Sequence, residues 1–275
     1  MTLAAGAGLE LSSEYTITPQ HREDFARDGH ILLKGLLSPE EVTHWRTVIA
    51  DTVQQYMHEV KLNEERGGYT SAFVQIMNLW QKNEATRPFI HSPRLAKVAA
   101  DLMGVDGVRL YHDQALFKEP GGSSTPWHQD QYYWPLTTPN TITMWMPLVD
   151  VSIQMGALAF ASGTHSGGSL GDIKISDTSE QVFQSIVDEK GFPLATSEMS
   201  AGDATFHLGW TLHRAPANNT DQMREVITII YYEDGAVIAQ PKNQSQEWDI
   251  GDWFPGQKPG EPAASPLNPV LFKRD

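Results

Sequence analysis

Two residues in Pro126-Trp127-His128-Gln129-Asp130-Gln131 are of types that bind divalent metals, and they stand two positions apart. The run reads as a strand, where side chains alternate faces, so the imidazole of His128 and the carboxylate of Asp130 are expected to point the same way. If that face is the interior of a barrel, a second imidazole from a distant strand completes three ligands on one side of an ion, and His213 is the candidate. Two imidazoles and one carboxylate suit iron(II), and three ligands on one face leave the other positions open for reactants. The same donors suit catalytic zinc, which keeps a zinc hydrolase as a rival reading. Taken alone the pair is weak evidence, because a histidine and a carboxylate can also be a hydrogen-bonded pair in a core.

The composition narrows the chemistry. The chain of 275 residues has no cysteine, which removes disulfides, thiolate metal sites, iron–sulfur clusters and a thiol nucleophile. A formal net charge of −14 describes a surface that repels phosphate backbones and anionic membranes, so neither nucleic acid nor a membrane is an expected partner. Met1 to Leu11 has neither the basic start nor the apolar core of a signal peptide, and no apolar run approaches a membrane span. The expectation is a cytoplasmic protein with a small-molecule substrate; the oligomeric state is not legible.

The elements that must position these residues can be read in outline. The length fits one domain over 1–275, with 1–14 a loose arm and 251–275, rich in Pro and Gly, an irregular C-terminal strap. Thr18-Pro19 opens a helix that ends at Gly29, and Ser38-Pro39-Glu40-Glu41 is a capping box before a long helix with Val42, Trp45, Ile49, Val53 and Tyr56 on one stripe. Ser92-Pro93 and Gly104 bracket another helix. From Val108 the texture is β: 108–118, 127–134, 141–149, 158–161, 204–208 and 225–232 are rich in β-branched and aromatic residues and separated by Gly, Pro, Asn and Ser, with one helix inserted at 178–190. The predicted class is mainly β with flanking α-helices, a double-sheet jelly roll or barrel.

A second set of residues changes the weight of the pair. Asp28-Gly29 precedes the first strand; Leu116-Phe117-Lys118 and Pro120-Gly121 precede His128-Gln129-Asp130; Gly156-Ala157-Leu158 leads to Ser162-Gly163-Thr164-His165; and Gly202-Asp203 leads to His207, His213 and, eleven positions later, Arg224. In this order the landmarks resemble the phytanoyl-CoA dioxygenase family, a branch of the non-haem iron(II)/2-oxoglutarate oxygenases with a double-stranded β-helix (cupin-like jelly-roll) core. The resemblance runs from about Asp28 to the Pro-rich tail.

That resemblance implies a dioxygenase using Fe(II), 2-oxoglutarate as co-substrate and dioxygen, with His128, Asp130 and His213 as metal ligands and catalytic residues. Arg224 is implied to hold the far carboxylate of 2-oxoglutarate, a task suited to guanidinium, whose planar fork makes two charge-assisted bonds to one carboxylate. Gln114, Trp145 and Gln75 match co-substrate-pocket positions. Ala215 stands where relatives often carry a hydroxyl residue and Met155 where Asn is common, so another group must supply the missing bond, or co-substrate affinity is lower. Related halogenases lack the carboxylate found here as Asp130, which argues against halogenation. His207, His165 and His112 are read as structural. The implied reaction releases succinate and carbon dioxide and oxidises, by default hydroxylates, a small or medium-sized metabolite, with a role in secondary metabolism as one setting. Desaturation, epimerisation and cyclisation use the same triad, and a catalytically silent metal- and 2-oxoglutarate-binding jelly roll is the rival from another class. Tyr132, Trp134, Phe73 and Trp210 are available as pocket walls, or as core.

Overall fold

The computed structural model describes residue 11, residues 13–61 and residues 73–274, with the side chains of 58–61 left aside. Most of the expected N-terminal arm therefore lies outside the described residues. Its inner end does not read as loose: Leu11 is buried in the main core, and Ser13 accepts a hydrogen bond from Arg94.

The first half is helical with two short strands: α1 (Pro19–Asp28), β1 (His30–Leu33), α2 (Pro39–Lys61), β2 (Val74–Met77), α3 (Leu79–Lys82), α4 (Arg87–Ile90) and α5 (Pro93–Met103). The second half is mainly strand: β3 (Gly107–Phe117), β4 (Thr125–His128), β5 (Thr141–Pro147), β6 (Ala159–Ala161), α6 (Asp177–Lys190), β7 (Leu194–Thr196), β8 (Ala204–Leu208), β9 (His213–Ala215), β10 (Val226–Glu233), α7 (Gln244–Trp253) and β11 (Val270–Lys273). Among the described residues no helix is long and apolar enough to cross a membrane.

The helix signals act as read. Thr18 caps α1 and Pro19 opens it; the Glu41 carboxylate accepts from the Ser38 amide at 2.8 Å while the Ser38 hydroxyl accepts from the Glu41 amide at 3.2 Å, closing the box that starts α2. Gly29 ends α1 at φ 77°, where a Cβ would lie 2.2 Å from the His165 ring, so only glycine fits this turn.

Two antiparallel sheets follow. The larger runs β1-β8-β5-β10-β3-β11, with β2 also paired to β3; the smaller runs β4-β9-β6-β7. Alternation splits the larger sheet into two faces. One carries Phe206, Met144, Met146, Ile227 and Ile229 into the main core with Trp45 and Ile49 of α2 and Leu95 and Val98 of α5. The other carries Trp145 and Val226 into a separate cluster with Phe160 and Ala215 of the smaller sheet, so the space between the sheets is the jelly-roll interior.

Two expectations are corrected. The segment 127–134 is not one strand: β4 stops at His128, and Asp130–Tyr132 forms a 3-10 turn. Tertiary bonds break the strand there, because the Gln131 amide donates to Gly209 O and the Gln129 side chain donates to Gly168 O and Trp210 O. The C-terminal strap is not irregular throughout either, since Val270–Lys273 pairs with the start of β3, an edge that supplies unpaired backbone groups.

Candidate metal centre

His128 and His213 face one another across paired strands: β4 and β9 are antiparallel with these two residues in register, and their rings lie 4.1 Å apart between centroids. The landmark residues hold this register. The Thr211 hydroxyl donates to Gly29 O at 2.7 Å and the Leu212 amide donates to the Thr164 hydroxyl at 2.9 Å, fixing the approach to His213. Gln129, between the two candidate ligands, also accepts from the Leu170 amide at 2.9 Å.

Each imidazole is set by the carbonyl two residues before it. Nδ1 of His128 lies 2.8 Å from Pro126 O, and Nδ1 of His213 lies 3.0 Å from Thr211 O. A carbonyl only accepts, so each Nδ1 carries the proton and each Nε2 keeps its lone pair for an ion. Both Nε2 atoms face Asp130 Oδ1, at 3.5 Å and 3.7 Å. One donor atom from each of the three residues falls within 4.8 Å of the others. The 3-10 turn, and not the pleat of a strand, aims Asp130 at the two imidazoles.

The electrostatics suit a cation. Burial, with His128 and His207 nearby, holds the His213 imidazole well below its ordinary pKa, so it stays an unprotonated donor. Burial opposes the charge on Asp130, but the donors it meets, the ring N–H of His207 among them, outweigh burial and keep the carboxyl well below the usual range.

The remaining predicted residues fall into two pairs. Arg224 is buried, donates through Nη1 to Gly156 O at 2.7 Å and lies with its guanidinium 5.4 Å from the centre of the Trp145 ring. Gln75 is exposed and donates to Gln114 Oε1 at 2.5 Å. Register relates them to the metal layer: Gln114, Thr228, Trp145 and Thr205 are successive cross-strand partners on β3, β10, β5 and β8, and two residues along lie His112, Ile230, Thr143 and His207. Met155 and Ala215 pack with Trp145 and offer no hydroxyl. Of the wall candidates, Trp134 is core, buried among Tyr111, Tyr232 and Phe254, while Tyr132, Phe73 and Trp210 are half-buried.

Two of the histidines read as structural belong to this interior. His207, fully buried, has Nε2 3.3 Å from Asp130 Oδ2 and its ring 4.2 Å from that of His213. His112 lies in the same cross-strand row, with its ring 4.7 Å from Trp253 of α7, and burial pushes it down to about 3. His165 does serve the fold, its ring against Gly29 and its Nε2 3.2 Å from Ala26 O. Thr143, which donates to Asp130 Oδ2 at 2.9 Å, was not foreseen. The signal available for both new contacts is alternation, since Thr205 and His207 on β8 share a face; what places that face inward is strand pairing, which one sequence does not display.

A model of the phytanoyl-CoA dioxygenase family matches residues 25–226 of the chain. Among relatives in sequence, a probable alpha-ketoglutarate-dependent hypophosphite dioxygenase of Stutzerimonas stutzeri is 24% identical over 226 residues, covering 77% of each protein. Among solved structures, the non-haem alpha-ketoglutarate-dependent carbocyclase SnoK of nogalamycin biosynthesis superposes with a TM-score of 0.74 at 24% identity, over 94% of this chain and 99% of that one. The epimerase SnoN, in complex with Fe3+, alpha-ketoglutarate and nogalamycin RO, gives 0.68 at 24% identity over 92% and 97%. At these identities the structural likeness is one of fold.

Proposed function

The chain belongs to the phytanoyl-CoA dioxygenase family of non-haem iron(II)/2-oxoglutarate-dependent dioxygenases, and from that premise we propose that His128, Asp130 and His213 hold the iron of an enzyme that hydroxylates a small or medium-sized metabolite. The observation that carries this reading is the convergence of two carbonyl-locked imidazoles and one carboxylate oxygen. That donor set fits iron(II) and leaves neighbouring coordination positions to reactants. When bound, iron would activate dioxygen, the oxidant, whose reduction is shared between 2-oxoglutarate, oxidised to succinate and carbon dioxide, and the substrate.

The chain's own residues bind, orient and exclude water. Arg224, on the platform of Trp145, holds the far carboxylate of 2-oxoglutarate, and Gln114 with Gln75 borders the same layer. The hydroxyl that Ala215 lacks is supplied by Thr205, whose Oγ1 is buried without a hydrogen-bond partner and whose strand position is paired with Trp145. A second outcome is favoured by one observation: two of the structural neighbours are a carbocyclase and an epimerase of secondary metabolism. In that reading the same triad directs ring closure or epimerisation.

The test is co-substrate turnover without a known substrate. Purified protein with iron(II), ascorbate, oxygen and 2-oxoglutarate is expected to form succinate, and His128→Ala to stop it. Failure of the wild-type protein to bind iron or turn over 2-oxoglutarate, or a preference for zinc on metal analysis, overturns the proposal.

A further inference from the structure

The two oxygens of Asp130 have different neighbours. Oδ1 faces Nε2 of His128 and His213, whereas Oδ2 lies 2.9 Å from the Thr143 hydroxyl and 3.3 Å from His207 Nε2. An ionised carboxylate only accepts, so Thr143 and His207 both donate to Oδ2. They stand opposite one another on β5 and β8 of the larger sheet, and so join that sheet to the turn that carries Asp130. His207 accomplishes this at a cost. Its Nδ1 is buried with no hydrogen-bond partner, and an orphaned buried polar atom is unfavourable. A phenylalanine would fill the space between His213 and Phe160 without that cost, at rings 4.2 and 5.4 Å away; what it would lack is the donor to Oδ2.

We infer that His207, with Thr143, is a positioning residue that fixes Asp130 as a one-oxygen ligand, and that His207 is not a fourth ligand itself. This rests on the iron site proposed above. With Oδ2 occupied by two donors, Oδ1 alone is presented to the ion, and a chelating carboxylate that would take a second coordination position is prevented. The three crowded imidazoles thereby divide their work: His128 and His213 bind, and His207 aims the carboxylate.

The experiment compares His207→Phe, which keeps a ring and removes the donor, with His207→Gln, which restores an N–H donor. Iron(II) affinity is measured by anaerobic titration, and the visible charge-transfer absorption of the iron(II)–2-oxoglutarate chelate reports ligand geometry. His207→Phe is expected to weaken iron binding about 10- to 100-fold, the usual scale for the loss of an outer-shell partner, and to shift the absorption; His207→Gln is expected to recover most of both. Thr143→Val removes the other donor with little change of shape and is expected to shift the absorption in the same direction, which keeps the test alive if His207→Phe does not fold. A crystal structure of the manganese(II)-loaded protein is expected to show His207 still on Oδ2. His207 bonded to the metal there, or His207→Phe matching wild type in affinity and absorption, overturns this inference alone. Wild-type protein that binds no iron overturns both it and the reading it rests on.

Discussion

The two sheets of this jelly roll are built to different standards. The larger sheet has strands of 11 and 8 residues in β3 and β10, with one face buried under α2 and α5. The smaller sheet has strands of three or four residues, yet it carries both candidate imidazole ligands. The long sheet supplies stability through apolar burial and touches Asp130 of the candidate site through side chains of its inner face, Thr143 and His207. The short sheet carries the two candidate imidazoles and is held by side chain-to-backbone bonds, such as those of Gln129 and Thr211. Binding geometry here depends on local polar locks, whereas folding depends on the apolar layer, and the two can be disturbed separately.

The sharpest way to break that division is at His213. His213→Ala is expected to abolish iron binding and succinate formation while the metal-free protein still unfolds cooperatively, as circular dichroism melting would show; loss of the fold would mean the short sheet is structural after all. On the long sheet the reverse is expected. Phe206→Ala, at a fully buried position of β8, should destabilise by about 3–5 kcal/mol in chemical denaturation, with iron affinity per folded molecule retained. Between the sheets, Arg224→Ala should weaken 2-oxoglutarate binding by about 2–5 kcal/mol, the scale for removing one partner of a buried charge pair. Calorimetry would check this with iron still bound, and equal affinity would mean the co-substrate carboxylate is held elsewhere.

The last expected effect is graded by pH. Asp113 faces the main core from β3, its carboxylate accepts from the Leu79 amide at 2.8 Å, and burial pushes it up to about 7. A carboxyl with a raised folded-state pKa binds its proton more tightly when folded. Its contribution is therefore fully present below the ordinary value of 3.8 and is lost as pH rises toward about 7, by about 1.4 kcal/mol per pH unit. Asp113→Asn keeps an acceptor for Leu79 and cannot ionise, so it should be more stable than wild type at pH 8 and no more stable at pH 4. Denaturation curves at the two values decide it.

What the sequence discloses follows the range of the forces involved. The starts of α1, α2 and α5 and the ends of α1 and α5 are local, written in Thr18-Pro19, in Ser38 with Glu41, in Ser92-Pro93 and in Gly29 and Gly104, and they can be read directly. The strands β3, β5, β8 and β10 of the long sheet are legible because their apolar runs are longer. The strands β2, β7, β9 and β11 are too short to carry a pattern and exist because a partner edge is present. The candidate ligands His128, Asp130 and His213 stand out by residue type and the structure brings them together, but the turn at Asp130 is not legible, because the bonds that end β4 come from Gly168, Gly209 and Trp210. His207 and Thr143 were hidden for the same reason, their roles being set by register between β5 and β8.

The carbonyl locks on the two imidazoles carry one more consequence. Each lock closes within a single tripeptide, Pro126 to His128 and Thr211 to His213, so neither ring borrows its tautomer from elsewhere in the protein. The two tripeptides, set face to face on neighbouring antiparallel strands, form a portable module. Transplanted in register onto another strand pair, they would bring their proton placement with them, and the host would need to provide a carboxylate, an opening and the bonds that hold the register.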